Sequence, residues 1–333
     1  LNCKKCIVGF FATKLVQKMK KLFLLLLISV LPEALQAQYT EIINSTLPGT
    51  SQSAYAVGGR VLQFEGGVWF EKNQHKYTDT RMDFTGVNYA VRYGFWREQF
   101  EMMLNGTLAY DYTTAPAGNS SHFGFVNNTV GAKYLIFKPE FLDEEKSIYS
   151  WRANNSFRWK NLTPSVAGYL GLNFLPNKRY FYETIPVLSP KAAVILQAEP
   201  IPRVVFVLNG IADRFLEKHP EYSFIATVTH NLRDGRFSIF VEQQGVSSYY
   251  YKDAITRMGG AMLLGDLENA IQLNAEMGFG WKDTPSRYMG LIGASYRIDN
   301  HNSFIKKKLK EQVEPTKIKG AKKPKKRKKN DLD

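Results

Sequence analysis

Hydrophobic and polar side chains alternate with a period of two along much of the chain between residues 58 and 298. In the clearest case, Met102 and Leu104 belong to an apolar face that is opposed by Glu101 and Asn105 on a polar face. Similar segments lie at 62–70, 87–95, 98–112, 237–241, 271–281 and 288–298. Because successive side chains of a strand point to opposite faces, the pattern predicts strands with one apolar and one polar face.

Two all-β architectures fit such strands: a soluble sandwich and a transmembrane barrel. The apolar faces end in aromatic residues, of which the chain has 22 Phe and 18 Tyr, and the polar faces carry Gly and Asn. Aromatic rings suit both membrane–water interfaces, whereas a soluble sandwich would also need protected edge strands. The pattern therefore favours an antiparallel transmembrane β-barrel.

The strand count follows from the turns. Thirteen segments read as strands, but bacterial single-chain barrels have even numbers. Short turns near 96–97, 200–202, 233–235 and 265–268 are expected to be periplasmic, and the connections at 113–121, 176–188, 213–221 and 247–254 extracellular. Turns counted from the two ends of the chain are assigned to the same sides of the membrane only if residues 138–163 contain no strand. This stretch begins with acidic residues after Pro139, so we interpret it as a periplasmic insertion. We therefore expect about twelve strands within residues 58–298.

A secretory leader precedes the barrel. Met19 is the expected start, followed by two lysines, the apolar run 22–31 and a cleavage site between Ala37 and Gln38. Residues 1–18 are then an upstream extension, and residues 38–57 are expected to be an N-terminal periplasmic lead-in. The apolar run is about half the length of a membrane-spanning helix. These features predict export and location in the cell outer membrane.

The net charge of +14 is confined to the two ends of the chain. Residues 1–37 contribute +5 and residues 300–333 contribute +9, so the central part is neutral, which argues against nucleic-acid binding. Residues 299–333 are expected to form a basic, disordered periplasmic tail. That tail either contacts cell wall or anionic lipid electrostatically or has no partner.

Candidate catalytic and metal-binding chemistry is sparse. Cys3 and Cys6 precede the expected start, and the five histidines lack the spacing of a metal site. The sequence predicts no cofactor, no metal and no enzyme. An outer-membrane lipid or peptide hydrolase is the third hypothesis, with His219 beside Glu217 and Glu221 as its one testable cluster.

Residues 47–71 carry a further pattern, a Pro-Gly segment followed by a first strand containing Gln63, Glu65 and Gly66. This stretch resembles the opening of the phenol-degradation-pathway (MetA-pathway type) outer-membrane transporter family. Shorter matches are Leu175-Pro176, Asn209-Gly210, Val241-Glu242 and the final strand from Gly290 to Arg297. The resemblance covers residues 47–298 and implies a barrel that takes up small molecules, aromatic ones among them.

This sequence departs from the family pattern at two places. Thr46-Leu47 replaces the usual acidic-Arg pair, and the last strand ends in Arg297-Ile298 without a terminal aromatic residue. The resemblance therefore predicts the class of protein and leaves the substrate open.

Charged residues on the predicted inward faces are the candidate functional residues. As pore-lining candidates we name Glu65, Arg92, Glu101, Lys133, Glu242 and Glu276. Either they set the solute preference of an open lumen, or they pair with one another and plug the barrel. The leading hypothesis is a channel or transporter for small solutes, embedded in outer-membrane lipid. The alternative is a non-conducting barrel with a structural or assembly role.

Overall fold

A computed structural model describes residues 45–95, 97–139, 157–176, 185–232, 236–264 and 271–300. The predicted leader, its cleavage site, residues 38–44 and the tail from residue 301 lie outside these ranges. The described part forms a closed antiparallel barrel in which each strand pairs with its neighbours in the chain. Its strands are β1 Val61–His75, β2 Thr80–Gly94, β3 Phe100–Ala115, β4 Gly118–Phe137, β5 Ser165–Phe174, β6 Leu188–Ile201, β7 Val204–Asp213, β8 Glu221–Asn231, β9 Phe237–Ser248, β10 Lys252–Leu264, β11 Ile271–Gly280 and β12 Ser286–Asp299.

The pairing of β1 with β12 closes the barrel. The register runs from Val61 opposite Asp299 to Gln74 opposite Ser286, so the first and last strands are paired along nearly their whole length. Closure gives the backbone N–H and C=O groups of both strands a partner, which a bilayer interior requires because it offers no water. The prediction of an antiparallel barrel with twelve strands is confirmed.

The two faces of each strand are as different as the alternation predicts. On β3, Met103 and Ala109 are almost completely buried, at 2% and 1% exposure, while Met102 and Tyr110 are 47% and 45% exposed. Buried polar side chains, Glu65 and Asn209 among them, lie on the inward faces of the other strands. The barrel therefore has a polar interior and an apolar exterior, the arrangement of a membrane barrel.

Exposed aromatic side chains are concentrated at the two ends of the exterior. Near the end at which β1 begins and β12 ends lie Tyr93, Phe95, Phe137, Phe237 and Tyr296. Near the opposite end lie Tyr112, Phe174, Tyr222, Trp281 and Tyr288. Exposed aliphatic residues such as Val68, Val130 and Ile292 lie between the two groups. An apolar band between two aromatic girdles is the exterior that a bilayer requires.

The connection between β4 and β5 contains the predicted insertion. Its described residues carry no strand, and Trp159–Leu162 form a short 3-10 helix. Residues 140–156 lie outside the described ranges, so the periplasmic location of the insertion stays a prediction. Among the described residues, no helix is long and apolar enough to cross a membrane.

Ile292→Arg tests the bilayer-facing exterior. Ile292 is 70% exposed near the middle of β12, and an arginine there would place a charge against hydrocarbon. We expect the free energy of unfolding in lipid vesicles to fall by about 2–4 kcal/mol. The control is Thr78→Arg in the exposed turn between β1 and β2, which should change it by less than about 0.5 kcal/mol. Equal effects of the two variants would contradict a lipid-facing Ile292.

Candidate functional site

The interior of the barrel contains a stretch of its own chain. Residues 45–60, which we call the internal segment, precede β1 and run along the inward faces of the wall. Residues 45–59 contain no charged side chain, and Ala54 and Val57 are fully buried. A segment of small and neutral residues can lie against the wall without bringing additional charge into the interior.

The internal segment passes nearly once around the interior. Ser45 Oγ lies 2.7 Å from Ser295 Oγ on β12, and Thr50 bonds to Glu242 on β9. Ala54 N donates to Gln197 Oε1 on β6 at 3.1 Å, and Tyr55 Oη lies 3.0 Å from Ser165 Oγ on β5. From Ser45 to Val57, these bonds lie on β12, β9, β6, β5 and finally β3 at Glu101, in the reverse of the strand order in the chain.

Glu65 and Glu101 hold the two ends of the internal segment. One oxygen of Glu65 accepts the backbone N–H of Thr46 at 2.9 Å, and one oxygen of Glu101 accepts the N–H of Val57 at 2.9 Å. Both carboxylates also bind Arg92, whose Nη1 lies 3.2 Å from Glu65 and whose Nε lies 2.6 Å from Glu101. The buried arginine therefore links the two carboxylates to which the segment is bound.

Lys133 supports the middle of the segment from β4. Its Nζ donates to the carbonyl oxygens of Ser53 and Tyr55, each at 2.9 Å, and lies 3.3 Å from Glu101 Oε2. The ammonium group is completely buried, so these acceptors replace the water that it would bind in solution.

Glu242 and Glu276 hold the Pro-Gly part of the segment. Glu242 accepts the N–H groups of Thr50 and Ser51 at 3.0 Å and also binds Arg257 Nη1 at 3.0 Å. Glu276 accepts the N–H of Gly49. Three consecutive backbone donors thus converge on two wall carboxylates, an arrangement that recurs where backbone N–H groups bind an anion.

Gly49 is required at this position by both its backbone and its surroundings. Its φ is +91°, a value that favours glycine, and a Cβ there would lie 2.8 Å from Glu242 Oε2. A side chain would also meet the ring of Phe240 at 3.2 Å. Glycine therefore allows the segment to approach the wall closely enough for its N–H groups to reach the carboxylates.

The predicted lead-in differs from the structure. The sequence analysis places residues 38–57 in the periplasm, whereas residues 45–57 lie inside the barrel and 38–44 lie outside the described ranges. The physical reason is that the inward carboxylates need donors and the backbone of this segment supplies them. The sequence carries one sign of this location, which is the lack of charged residues in 45–59. An exposed lead-in would have no reason to exclude them.

All six pore-lining candidates face the interior. Five of them bond directly to the internal segment, and Arg92 reaches it through Glu65 and Glu101. Their role in lining a solute path stays a prediction. Sequence reasoning missed the neutral partners Gln197 and Gln272 and the cations Arg257 and Arg297, which also contact the segment.

A second group of charges lies towards the opposite end of the interior. Arg287 on β12 binds Glu71 on β1 at 2.8 Å and Asp253 on β10 at 3.1 Å. Lys191 on β6 lies 3.9 Å from Asp213 on β7. Acids outnumber bases in this group, which gives the interior beyond the internal segment a polar, acidic lining.

Catalytic and metal chemistry has little support among the described residues. His219 stacks on Tyr249, and Glu221 is bound by Arg214 and Tyr251, so this cluster is occupied by packing and ion pairing. The described ranges contain no group of three or more His, Cys, Asp or Glu side chains that could hold a metal ion.

The closed twelve-strand wall, its apolar exterior and its polar interior define an outer-membrane β-barrel with a porin-like channel fold. The chain belongs to the family described as "Putative MetA-pathway of phenol degradation", which matches residues 46–298. The resemblance seen in residues 47–71 is therefore confirmed, and the match begins one residue into the internal segment.

Solved structures with a similar fold share little sequence with the chain. An outer membrane channel from Pseudomonas putida F1 aligns with a TM-score of 0.48 at 8% identity, over 74% of this chain and 98% of that one. The KdgM porin in complex with disordered oligogalacturonate aligns with a TM-score of 0.40 at 11% identity, over 69% and 98%. No curated protein sequence matches the chain.

Arg92→Met tests the buried charge network. The substitution leaves Glu65 and Glu101 without the cation that they share, so we expect a loss of about 3–5 kcal/mol in the free energy of unfolding. Arg81→Met is the matched control, because Arg81 and Asp83 form an exposed pair that should contribute about 0–1 kcal/mol. Urea-induced unfolding in lipid vesicles measures both, and similar losses would contradict a special role for Arg92.

Gly49→Ala tests the binding of the internal segment to the barrel wall. Residues 38–333 contain no cysteine, so Ser51→Cys provides a single thiol whose labelling rate reports the exposure of the segment. We expect Gly49→Ala to raise that rate about tenfold or more. A decrease of about 1.4 kcal/mol in the free energy that binds the segment to the wall raises the population of released segment tenfold.

The control is Gly118→Ala in the same Ser51→Cys background. Gly118 also has a positive φ, +129°, but a Cβ there would meet nothing within 4 Å. It is the first residue of β4, next to the turn that joins β3 to β4 and away from the segment, so the labelling rate should stay unchanged. An equal rise of the labelling rate in both variants would show that general destabilisation of the barrel exposes position 51, and not the loss of the contacts around Gly49.

Proposed function

We propose that this protein is an outer-membrane channel for small solutes whose conducting path is controlled by the internal segment. The observation that carries the proposal is the way the segment is held. It lies inside the barrel but outside the strand ladder, and it is bound by side chains such as Glu65, Glu101 and Glu242. Releasing it would break those bonds and leave the pairing of the twelve strands intact.

The composition of the interior supports a path for solutes. Small barrels without such a path can fill their interior with interlocking side chains, whereas this interior contains a peptide bound by wall side chains and charged groups at two levels. Once the segment is displaced, Glu65, Arg92, Glu101, Lys133, Glu242 and Glu276 would line the path. Their charges would then set its ion and solute preference.

The family description supports a proposal for the solute class. The description refers to phenol degradation, which supports small aromatic or hydrophobic molecules as the cargo. A polar path would pass such molecules if they carry hydroxyl or carboxyl groups. The alternative function, a non-conducting structural or assembly-partner barrel, is favoured by one observation: the predicted lining charges are already bound by the segment and by one another.

We also propose an orientation of the barrel in the outer membrane. Because the strand number is even, β1 begins and β12 ends at the same end of the barrel, and we place that end in the periplasm. A tail with thirteen basic side chains would then remain on the side from which the exported chain inserts. There it would meet anionic lipid or acidic cell wall.

A reversible lock tests whether the segment controls conduction. Ser45 Oγ and Ser295 Oγ are 2.7 Å apart, so the pair Ser45→Cys and Ser295→Cys should form a disulfide that fixes the segment to β12. In planar bilayers, we expect the refolded chain 38–333 to show openings that oxidation suppresses by about tenfold or more. A reductant should restore them.

Two controls separate the possible results. Ser45→Cys alone should be insensitive to oxidation. Glu276→Gln weakens the bond to Gly49 and should open the channel more often, whereas Glu71→Gln changes a carboxylate away from the segment and should not. A locked barrel that conducts like the reduced one would exclude control by the segment. A folded barrel that is silent in every variant would support the non-conducting alternative.

A further inference from the structure

Two connections at the end of the barrel where β1 ends and β12 begins bear a group of aromatic residues. Residues 214–220 join β7 to β8, and residues 249–251 join β9 to β10. The register places Glu221, the first residue of β8, opposite Ser248, the last residue of β9, so the two connections lie side by side. They carry Phe215, Leu216, His219, Tyr249, Tyr250 and Tyr251.

Three of these rings form a packed cluster. The rings of His219 and Tyr249 are stacked with centroids 4.4 Å apart at an interplanar angle of 28°. Tyr250 meets both edge-on, at 5.5 Å from His219 and 5.3 Å from Tyr249. These are favourable aromatic geometries, so the cluster has a defined shape.

Polar side chains that meet at Glu221 link the two connections. The same oxygen of Glu221 accepts hydrogen bonds from Arg214 Nη2 at 2.7 Å and from the Tyr251 hydroxyl at 2.8 Å. Arg214 is only 6% exposed, and it belongs to the first connection while Tyr251 belongs to the second. Burial and Glu221 raise the pKa of the Tyr251 hydroxyl. Arg214, Glu221 and Tyr251, which we call the base of the cluster, therefore tie together the two connections that carry the rings.

The cluster leaves aromatic surface open to solvent. Tyr249 is 75% exposed although one face of its ring is covered by His219, and the neighbouring Leu216 is 76% exposed. Exposed apolar groups held in a fixed arrangement mark a binding surface more often than isolated ones do. Glu221 lies on the inward face of β8, which places the base of the cluster at the rim of the interior.

We propose that His219, Tyr249 and Tyr250 form a docking site for the aromatic ring of a small solute at the mouth of the barrel. The open face of Tyr249 is the surface on which a planar ring would stack. A planar aromatic ring on that face would repeat the stacked geometry that His219 shows on the other face of Tyr249, which supports an aromatic ligand. The inference deepens the proposed function, since it names a ligand class and a first contact for a channel, and it rests on that function for its purpose.

Saturation-transfer NMR on the refolded chain 38–333 in lipid nanodiscs tests the site. The probe is 4-hydroxybenzyl alcohol, and its saturated analogue 4-(hydroxymethyl)cyclohexanol is the ligand control. We expect the aromatic probe to bind and the saturated one to bind more weakly. Tyr249→Leu and His219→Leu should raise the Kd of the aromatic probe about two- to tenfold, the range of a lost aromatic pair. Tyr249→Phe keeps the ring and should leave the Kd unchanged.

Tyr77→Leu is the matched protein control. Tyr77 is 89% exposed in the turn between β1 and β2, at the same end of the barrel, with His75 at 6.2 Å in an edge arrangement. Its loss should not alter the Kd, because no stacked cluster is removed. An equal effect of Tyr77→Leu would show unspecific binding to exposed tyrosines and overturn the proposal. Equal binding of the saturated analogue or of methyl β-glucopyranoside, or an unchanged Kd in Tyr249→Leu, would also overturn it.

The same preparations separate this inference from the proposed function. If the barrel conducts in planar bilayers and Tyr249→Leu binds the aromatic probe like the wild type, the docking site fails and the channel stands. If the barrel is silent and the probe binds with the expected dependence on Tyr249, the docking site stands and the channel fails.

Discussion

Carboxylates held away from water need hydrogen-bond donors, and this requirement determines the interior of the barrel. Glu65, Glu101, Glu242 and Glu276 all find donors in the backbone of residues 46–57. Without the internal segment, those oxygens would depend on water or on the few cations of the wall. Without the carboxylates, the segment would have unpaired backbone groups and no reason to enter the barrel. The carboxylates therefore explain why the segment lies inside the barrel, and the segment explains how the carboxylates are tolerated there.

The exterior obeys a different constraint, since lipid offers no hydrogen bonds. Closure through β1 and β12 satisfies the backbone, and the apolar face of every strand satisfies the bilayer. The wall is thus built from contacts between neighbouring strands, whereas the segment is held by separate side chains on many strands. The contacts that stabilise the wall are therefore different from those that hold the segment. A channel whose path is controlled by a segment requires this independence.

The sequence could predict whatever depends on strand periodicity. The alternation fixes which side of β3 and β11 faces inward, and the requirement for an even strand number removes residues 138–163 from the count. For the same reason the six inward charges could be named in advance. The path of residues 45–60 could not be predicted, because a segment held through its backbone leaves no periodic pattern. Its partners are remote as well: Ser45 and Ser295 are 250 residues apart. The cluster of His219 and Tyr249 depends likewise on two connections that only the register of β8 and β9 brings together.

The contact between Ser45 and Ser295 also has a consequence for how the barrel is assembled. Ser295 belongs to β12, the last strand to be synthesised, while Ser45 belongs to the first described residues of the chain. The binding surface of the segment is therefore complete only after β12 has paired with β1, because Ser295 and Arg297 both belong to β12. Closure of the cylinder thus precedes or accompanies the final positioning of its contents.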